Sequence, residues 1–121
     1  MRGLHLTADL YECRCDTRWL ADAASLGPWC RQAVQAAGLA VDQERVAVAD
    51  ADGSTSVVLL LAGSHVCLHT WPSERHAAID VYLSQPGTDL QAQARGLMQS
   101  LVQRLAPEWT EQRSLDRGDG Q

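Results

Sequence analysis

The sequence predicts an α+β fold, a two-layer sandwich in which two helices cover one face of a mainly antiparallel sheet. Segments with apolar residues at every second position recur along the chain, which is typical of strands with one buried face. Two longer stretches have apolar residues at helical spacing, and they alternate with the strand segments. The chain has 121 residues and no internal linker, which indicates a single domain over residues 1–121.

The N-terminal third contains a strand followed by a helical stretch. Residues 3–13 alternate between apolar and polar side chains, which predicts a half-buried strand. A helix is predicted from about residue 16 to residue 37, where Gly38 follows as a C-cap. Proline disrupts a helix interior, so the Gly27-Pro28 pair predicts a kink there, or a division into two helices.

Turn residues divide the rest of the chain into strands and a second helix. The predicted elements are strands at residues 39–49, 56–62, 65–71 and 77–84, a helix at 89–105 and a short strand at 108–113. Opposite their apolar face, several of these strands carry His, Cys, Trp, Tyr and Asp side chains. So many aromatic and titratable groups predict that this face is partly buried against a second subunit, with a polar pocket between.

Composition excludes several functional classes. The formal net charge of −5 argues against a nucleic-acid-binding surface. No apolar run reaches the roughly 18–20 residues that span a bilayer, and the N-terminus lacks the apolar core of a signal peptide. The sequence therefore predicts a cytoplasmic protein with a small-molecule substrate. Its cysteines match no disulfide or zinc pattern and are predicted to be free thiols, with Cys13-x-Cys15 as a weak metal signal.

A Gly-Ser peptide lies between two predicted strands, at Gly63-Ser64. In such a turn the serine hydroxyl can attack the preceding carbonyl carbon and move the acyl group from nitrogen to oxygen. Elimination then breaks the chain and leaves a pyruvoyl group at the new N-terminus. A pyruvoyl carbonyl is an electron sink of the kind that other decarboxylases take from a bound cofactor. The alternative is that Ser64 is an ordinary turn residue.

Residues 56–84 contain a motif of several parts. Its parts are Ser64-His65-x-x-x-His69-Thr70-Trp71-Pro72 and Ala77-Ala78-Ile79-Asp80-Val81. The first predicted strand adds Gly3-Leu4-His5-Leu6 and Tyr11-Glu12-Cys13. In these features the chain resembles the small bacterial S-adenosylmethionine decarboxylases, and the resemblance extends in element order over about residues 3–105.

The resemblance implies a proenzyme that is cut before Ser64, into a β chain of residues 1–63 and an α chain of residues 64–121. Ser64 would become the pyruvoyl group, which forms a Schiff base with the substrate amine. His69 would take the proton from the Cα atom of the ester intermediate, and Ser56 would assist the acyl shift. Cleaved protomers of the family form dimers whose active sites draw on both, so the resemblance implies a homodimer.

Three positions depart from the family pattern. The residue before the cut is Gly63 rather than Glu, Ser84 stands in place of a proton-donating cysteine, and Asp50 replaces an aromatic residue that stacks on adenine. Trp71 is then the remaining stacking partner at the motif. A carboxylate at Asp50 or Asp52 suits a cationic side chain. The substrate is therefore predicted to be either S-adenosylmethionine or a basic amino acid, L-ornithine or L-arginine.

Several alternatives stay open. His65 has either a structural hydrogen-bonding role or a role in catalysis or substrate binding. His65-x-Cys67-x-His69, with His5 from a neighbouring strand, also permits a metal site, although none is expected. In place of a cysteine, the proton donor could be water, Tyr82 or a histidine. The departures also fit an uncleaved, inactive homologue that binds or regulates an active decarboxylase.

Overall fold

The computed structural model describes residues 2–49, 51–84 and 90–118. Its elements are β1 (Gly3–Cys13), α1 (Arg18–Ala21), α2 (Ala23–Ala36), β2 (Gln43–Val48), β3 (Thr55–Leu61), β4 (Ser64–Trp71), a 3₁₀ turn (Pro72–Glu74), β5 (His76–Ser84), α3 (Gln91–Leu105) and β6 (Pro107–Arg117). The strands form one antiparallel sheet in the order β2-β3-β4-β5-β1-β6. The predicted α+β sandwich is confirmed. Within the described residues, no helix combines the length and the apolar character needed to cross a membrane. The cytoplasmic location stays a prediction.

The first strand lies inside the sheet, between β5 and β6. Leu6 of β1 is opposite Val81 of β5 on one side and opposite Ser114 of β6 on the other. Both strands that pair with β1 come from the C-terminal half of the chain. The two halves of the sequence are therefore interleaved in the sheet.

One face of the sheet packs against the helices, and its side chains form the core together with α2 and α3. On β1 the buried side chains include Leu4, Leu6, Ala8 and Leu10, which are the alternate positions that the sequence pattern predicts. Cys13 is also buried, one position out of this alternation, after Glu12 with its φ of 51°. The opposite side of the sheet, here named the open face, carries polar and aromatic side chains. They include His5, His65, His69, Trp71 and Tyr82.

The first helical stretch is divided at Asp22, and not at the predicted Gly27-Pro28. Asp22 is extended, and its carboxylate accepts a hydrogen bond from the Ala24 N–H at 3.2 Å, so it caps α2. α2 continues through Pro28, which lies near its N-terminal end. Gly27 is buried because α2 approaches β2 closely, and a Cβ atom there would lie 2.7 Å from the Glu44 carboxylate.

β6 is much longer than the predicted strand at residues 108–113. It pairs with β1 from Pro107, opposite Cys13, to Arg117, opposite Gly3. Most of its residues are exposed or half-buried, because β6 is an edge strand. An edge strand of this kind needs no apolar alternation, so its length is not apparent in the sequence.

Thr70 connects the first helix to the start of β3. Its buried hydroxyl donates a hydrogen bond to the Leu20 carbonyl at 2.6 Å and accepts one from the Thr55 N–H at 3.1 Å. The Leu20 carbonyl lies in α1, where its oxygen would otherwise be buried without this partner. Thr70 therefore fixes the first residue of β3, Thr55, which is next to Ser56.

Replacing Thr70 with valine is expected to lower the free energy of unfolding by about 1–3 kcal/mol, because a buried donor and a buried acceptor lose their partner. Urea denaturation of the purified protein measures the change. The matched control is Thr110→Val, at a half-buried position of β6, where the free energy of unfolding is expected to change by no more than about 0.5 kcal/mol. Equal destabilisation by the two substitutions would contradict the role of the Thr70 hydroxyl.

Candidate active site

The Gly63-Ser64 peptide lies at the tip of a tight hairpin. Leu61 pairs with Ser64, so Ala62 and Gly63 form the turn between β3 and β4. Gly63 has a φ of 67°, in the left-handed region that glycine adopts without steric cost. The backbone conformation thus accounts for glycine before the serine.

The hydroxyl of Ser64 is hydrogen-bonded to the last residue of β5. Its Oγ atom accepts from the Ser84 N–H at 2.9 Å and donates to the Ser84 carbonyl at 3.3 Å. The Ser84 side chain points elsewhere, and its hydroxyl donates to the Arg2 carbonyl at 2.8 Å. The structure therefore brings the predicted cleavage residue and the predicted proton-donor position together, with the Ser84 backbone facing Ser64.

Cavities border the hairpin tip on both sides of the sheet. One has a volume of about 440 Å³ and lies on the open face, and we name it the open-face cavity. Besides Gly63 and Ser64 it is lined by His5, Leu60, Leu61, His65, Tyr82 and Arg117. The other, of about 560 Å³, lies towards the helices between the loop at residues 38–42 and Leu90. A group at Ser64 is therefore accessible to a small molecule.

His69 and Ser56 form a second polar centre. His69 of β4 is directly opposite Ser56 of β3, and the histidine Nδ1 atom is 2.8 Å from the serine Oγ atom. This distance is that of a normal hydrogen bond. The two residues that the resemblance assigns to processing are thus in contact with each other.

Ser64 and His69 are separated within one chain. They lie five positions apart on β4, so their Cα atoms are roughly 16 Å apart at about 3.3 Å per residue. An odd spacing also directs the two side chains to opposite faces of a strand. A single protomer therefore does not bring His69 to the Ser64 peptide.

Two of the predicted binding residues, Trp71 and Asp52, lie at the His69 end of the sheet. Trp71 is 42% exposed, and its ring centroid is 6.4 Å from that of His69. The carboxylate of Asp52 accepts from the Ser54 N–H at 3.0 Å and from the hydroxyls of Ser54 and Ser73. These hydrogen bonds, first that of the Ser54 N–H, hold the pKa of Asp52 below its usual value. Asp50 lies outside the described residues.

Three aromatic rings lie side by side across the sheet at the open-face cavity. His65, Tyr82 and His5 are opposite one another on β4, β5 and β1, with ring centroids 5.5–6.2 Å apart. The Nε2 atom of His5 is buried without a hydrogen-bond partner, and its nearest ionic partner, the Asp80 carboxylate, is 3.8 Å away. Across the described ranges, no three His, Cys, Asp or Glu side chains are grouped so as to hold a metal ion.

The cysteines are free thiols, as predicted. Burial raises the pKa of Cys30 to about 12 and that of Cys13 to about 11. Burial, with the Asp80 charge adding to it, also raises the pKa of Cys67 on the open face. These thiols are therefore protonated at neutral pH and are poor nucleophiles.

Two residues of β6 at the open face are not apparent in the sequence pattern. Arg117 lies opposite Gly3 and reaches the open-face cavity. Trp109 stacks on Tyr11 with ring centroids 4.1 Å apart and is 51% exposed. The sequence offers no signal for either role, because the length and register of β6 were not predicted.

Comparison with known proteins gives concordant matches. The family model for S-adenosylmethionine decarboxylase matches residues 4–118. The S-adenosylmethionine decarboxylase proenzyme of Pyrobaculum arsenaticum is 32% identical over 108 residues, which cover 87% of this chain and 79% of the relative. The proenzyme of the same name from Sulfurihydrogenibium sp. is 31% identical over 116 residues, with 96% and 82% covered.

A solved structure has the same fold. The crystal structure of the adenosylmethionine decarboxylase from Aquifex aeolicus superposes with a TM-score of 0.83 at 27% sequence identity. The superposition covers 98% of this chain and 92% of that one. Sequence and fold agree over nearly the whole length, and the chain belongs to the S-adenosylmethionine decarboxylase family.

Proposed function

We propose that this chain is a proenzyme that cuts itself before Ser64 and then decarboxylates an amino acid with the resulting pyruvoyl group. The observation that carries this proposal is the Gly63-Ser64 peptide at a hairpin tip, with a left-handed glycine before the serine and a cavity beside it. Membership of a family whose relatives are named as proenzymes supports the same reading.

The processing step follows from the chemistry of serine. The Ser64 Oγ atom bonds to the Gly63 carbonyl carbon, the peptide C–N bond breaks, and the nitrogen takes up the hydroxyl proton. A base then removes the Cα proton of residue 64, and the C–O bond breaks, which releases the Gly63 carboxylate. Tautomerisation and hydrolysis by one water molecule release ammonia and leave a pyruvoyl group at the start of β4.

The site fits a pyruvoyl group. The Ser84 N–H that donates to the Ser64 Oγ atom stays in place as a hydrogen-bond donor to an oxygen atom at this position. A pyruvoyl group supplies an electron-withdrawing carbonyl that condenses with a substrate amine and stabilises the charge left when carbon dioxide departs. The Ser84 hydroxyl, which is bonded to the Arg2 carbonyl, is a weak acid, so it is a poor substitute for a thiol as proton donor.

We further propose a homodimer in which two copies pack through their open faces. The open face exposes Leu60, Trp71, Trp109 and Leu115, each by 42% or more, in a region that the sheet's own helices do not cover. Large exposed apolar groups of this kind are typical of an interface. In such a dimer His69 and Ser56 of one copy reach the hairpin tip of the other. Ser64 of one copy would then lie near His69 of the other, although the two residues are about 16 Å apart within one chain.

The substrate is S-adenosylmethionine or a basic amino acid, L-ornithine or L-arginine. Asp52 is the described carboxylate that was predicted to bind a cationic side chain. Its oxygen atoms already accept hydrogen bonds from Ser54 and Ser73, so it favours the basic amino acids only weakly. The related proteins carry the name S-adenosylmethionine decarboxylase, which favours that substrate.

Intact-mass analysis of the purified chain tests the processing. Two fragments, residues 1–63 and 64–121 with a blocked N-terminus on the second, are expected. Incubation of the cleaved protein with each of the three amino acids, with release of carbon dioxide as the readout, then identifies the substrate. A single uncut chain that releases no carbon dioxide would overturn the proposal and would favour an inactive homologue that binds an active decarboxylase.

A further inference from the structure

The open-face cavity contains a cationic side chain, Arg117, although the chain as a whole is acidic. The formal net charge is −5, and all ten basic side chains in the sequence are arginines. The lining of this cavity contains the guanidinium of Arg117 and the imidazoles of His5 and His65. Its described lining residues include no carboxylate. A cavity of this composition next to Ser64 is complementary to an anion.

The guanidinium of Arg117 is held over this cavity by a specific packing arrangement. Gly3 and Arg117 are opposite each other on β1 and β6. The ring of Tyr82 occupies the space above Gly3, where a Cβ atom would lie 2.7 Å from the phenol oxygen. The Cζ atom of Arg117 lies 5.7 Å from the centroid of this ring, within the range of a cation–π contact. The missing side chain at Gly3 thus lets Tyr82 support Arg117.

We propose that Arg117, supported by Tyr82, forms a subsite for the α-carboxylate of the amino-acid substrate. This inference rests on the proposed function, because it concerns the substrate of the same site. The substrate amine must reach residue 64, and the carboxylate is bound to the carbon next to that amine. Both groups therefore enter one cavity, and of the two that Ser64 lines, the open-face cavity is the one that contains a cationic side chain. A guanidinium is the side chain whose paired donors match a carboxylate.

The subsite distinguishes substrate from product. The amine that remains after loss of carbon dioxide has no carboxylate, so it makes no contact with Arg117 of this kind. The same contact also sets the orientation of the substrate. A cationic side chain or a sulfonium group is repelled by Arg117 and lies towards the opposite side of the cavity.

Reductive capture with cyanoborohydride tests this subsite on the cleaved protein. The amino acid that the protein decarboxylates and its own product amine are captured in parallel, and the adducts are counted by intact mass. Adducts of the amino acid with and without the carboxyl group both count as capture of the amino acid. Because the chain has no lysine and the fragment of residues 64–121 has a blocked N-terminus, the α-amino group of the other fragment is the protein's own competing amine.

Arg117→Gln is expected to lower the ratio of amino-acid capture to amine capture at least roughly tenfold, since it removes a charge-assisted contact made by the substrate alone. Arg117→Lys is expected to restore part of the ratio. The matched control is Arg113→Gln, which lies on the same strand and face, pairs with Asp9 and Glu111, and does not line the cavity. Its ratio is expected to stay within about twofold of the unmodified protein.

An unchanged ratio in Arg117→Gln, or an equal loss of both captures, would overturn the subsite and would leave Arg117 with a structural role. The proposed function fails in a different way. An unmodified chain that stays uncut, as its intact mass reports before any capture, overturns the decarboxylase and the subsite together.

Discussion

Ser64→Ala is expected to remain a single uncut chain without decarboxylase activity. Alanine has no oxygen atom to accept the Gly63 acyl group, so the peptide bond stays intact and no pyruvoyl group forms. The fold should persist, because the substitution removes only the two hydrogen bonds between the Ser64 hydroxyl and the Ser84 backbone, at a cost of about 1–3 kcal/mol. Intact-mass analysis and carbon dioxide release measure the two effects, and urea denaturation verifies the fold.

Ser114→Ala is the matched control for this experiment. Ser114 is exposed on β6, where it pairs with Leu6 of β1, and it is remote from the hairpin tip. This variant is expected to be cut to the same extent as the unmodified protein. Cleavage of Ser64→Ala at the same position would contradict the assignment, because another group would then have to open the chain.

Co-expression of a Ser64→Ala chain with a His69→Ala chain is expected to restore a cut that neither variant makes alone. The reason is the geometry of β4, where Ser64 and His69 lie at opposite ends and on opposite faces. If the base comes from the second copy, a mixed dimer contains one complete site. That site combines Ser64 of the His69→Ala chain with His69 of the Ser64→Ala chain.

The two chains differ in mass, so intact-mass analysis identifies which one is cut. The fragments are expected to derive from the His69→Ala chain. If equal amounts of the two chains pair at random, up to about half of the His69→Ala molecules are in mixed dimers and are cut. A partner that carries both substitutions supplies no His69 and is expected to restore nothing. Efficient cutting of His69→Ala by itself would show that this histidine is not the base.

Elements whose own side chains bury one face could be predicted from the sequence. Elements whose extent is set by contact with another strand or helix could not. The alternation describes β1 correctly over residues 3–10, because Leu4, Leu6, Ala8 and Leu10 all enter the core. The helix break lies at Asp22 rather than at Gly27-Pro28 because the Asp22 carboxylate caps α2, while Pro28 is accommodated inside this helix. β6 exceeds its predicted length because pairing with β1, rather than burial of its own side chains, stabilises it.

The candidate site follows the same division. Ser64 and the pair of Ser56 and His69 were identified from the motif, and the strand register brings the pair into contact. The distance between His69 and Ser64 follows from five positions along one strand, and the odd spacing directs the two side chains to opposite faces. Arg117 could not be found, because its place at the cavity depends on the register of β6 and on the space above Gly3.

The interleaved sheet determines whether the two fragments of a cut chain stay together. A cut before Ser64 leaves β1, β2 and β3 on one fragment and β4, β5 and β6 on the other. The cut passes between β3 and β4, yet β1 still lies between β5 and β6. Neither fragment can leave without dismantling the sheet. Folding of the uncut chain is a unimolecular event, whereas refolding after the cut is an encounter of two molecules. The mature protein should therefore refold in a concentration-dependent way, and its persistence should depend on slow unfolding more than on recovery.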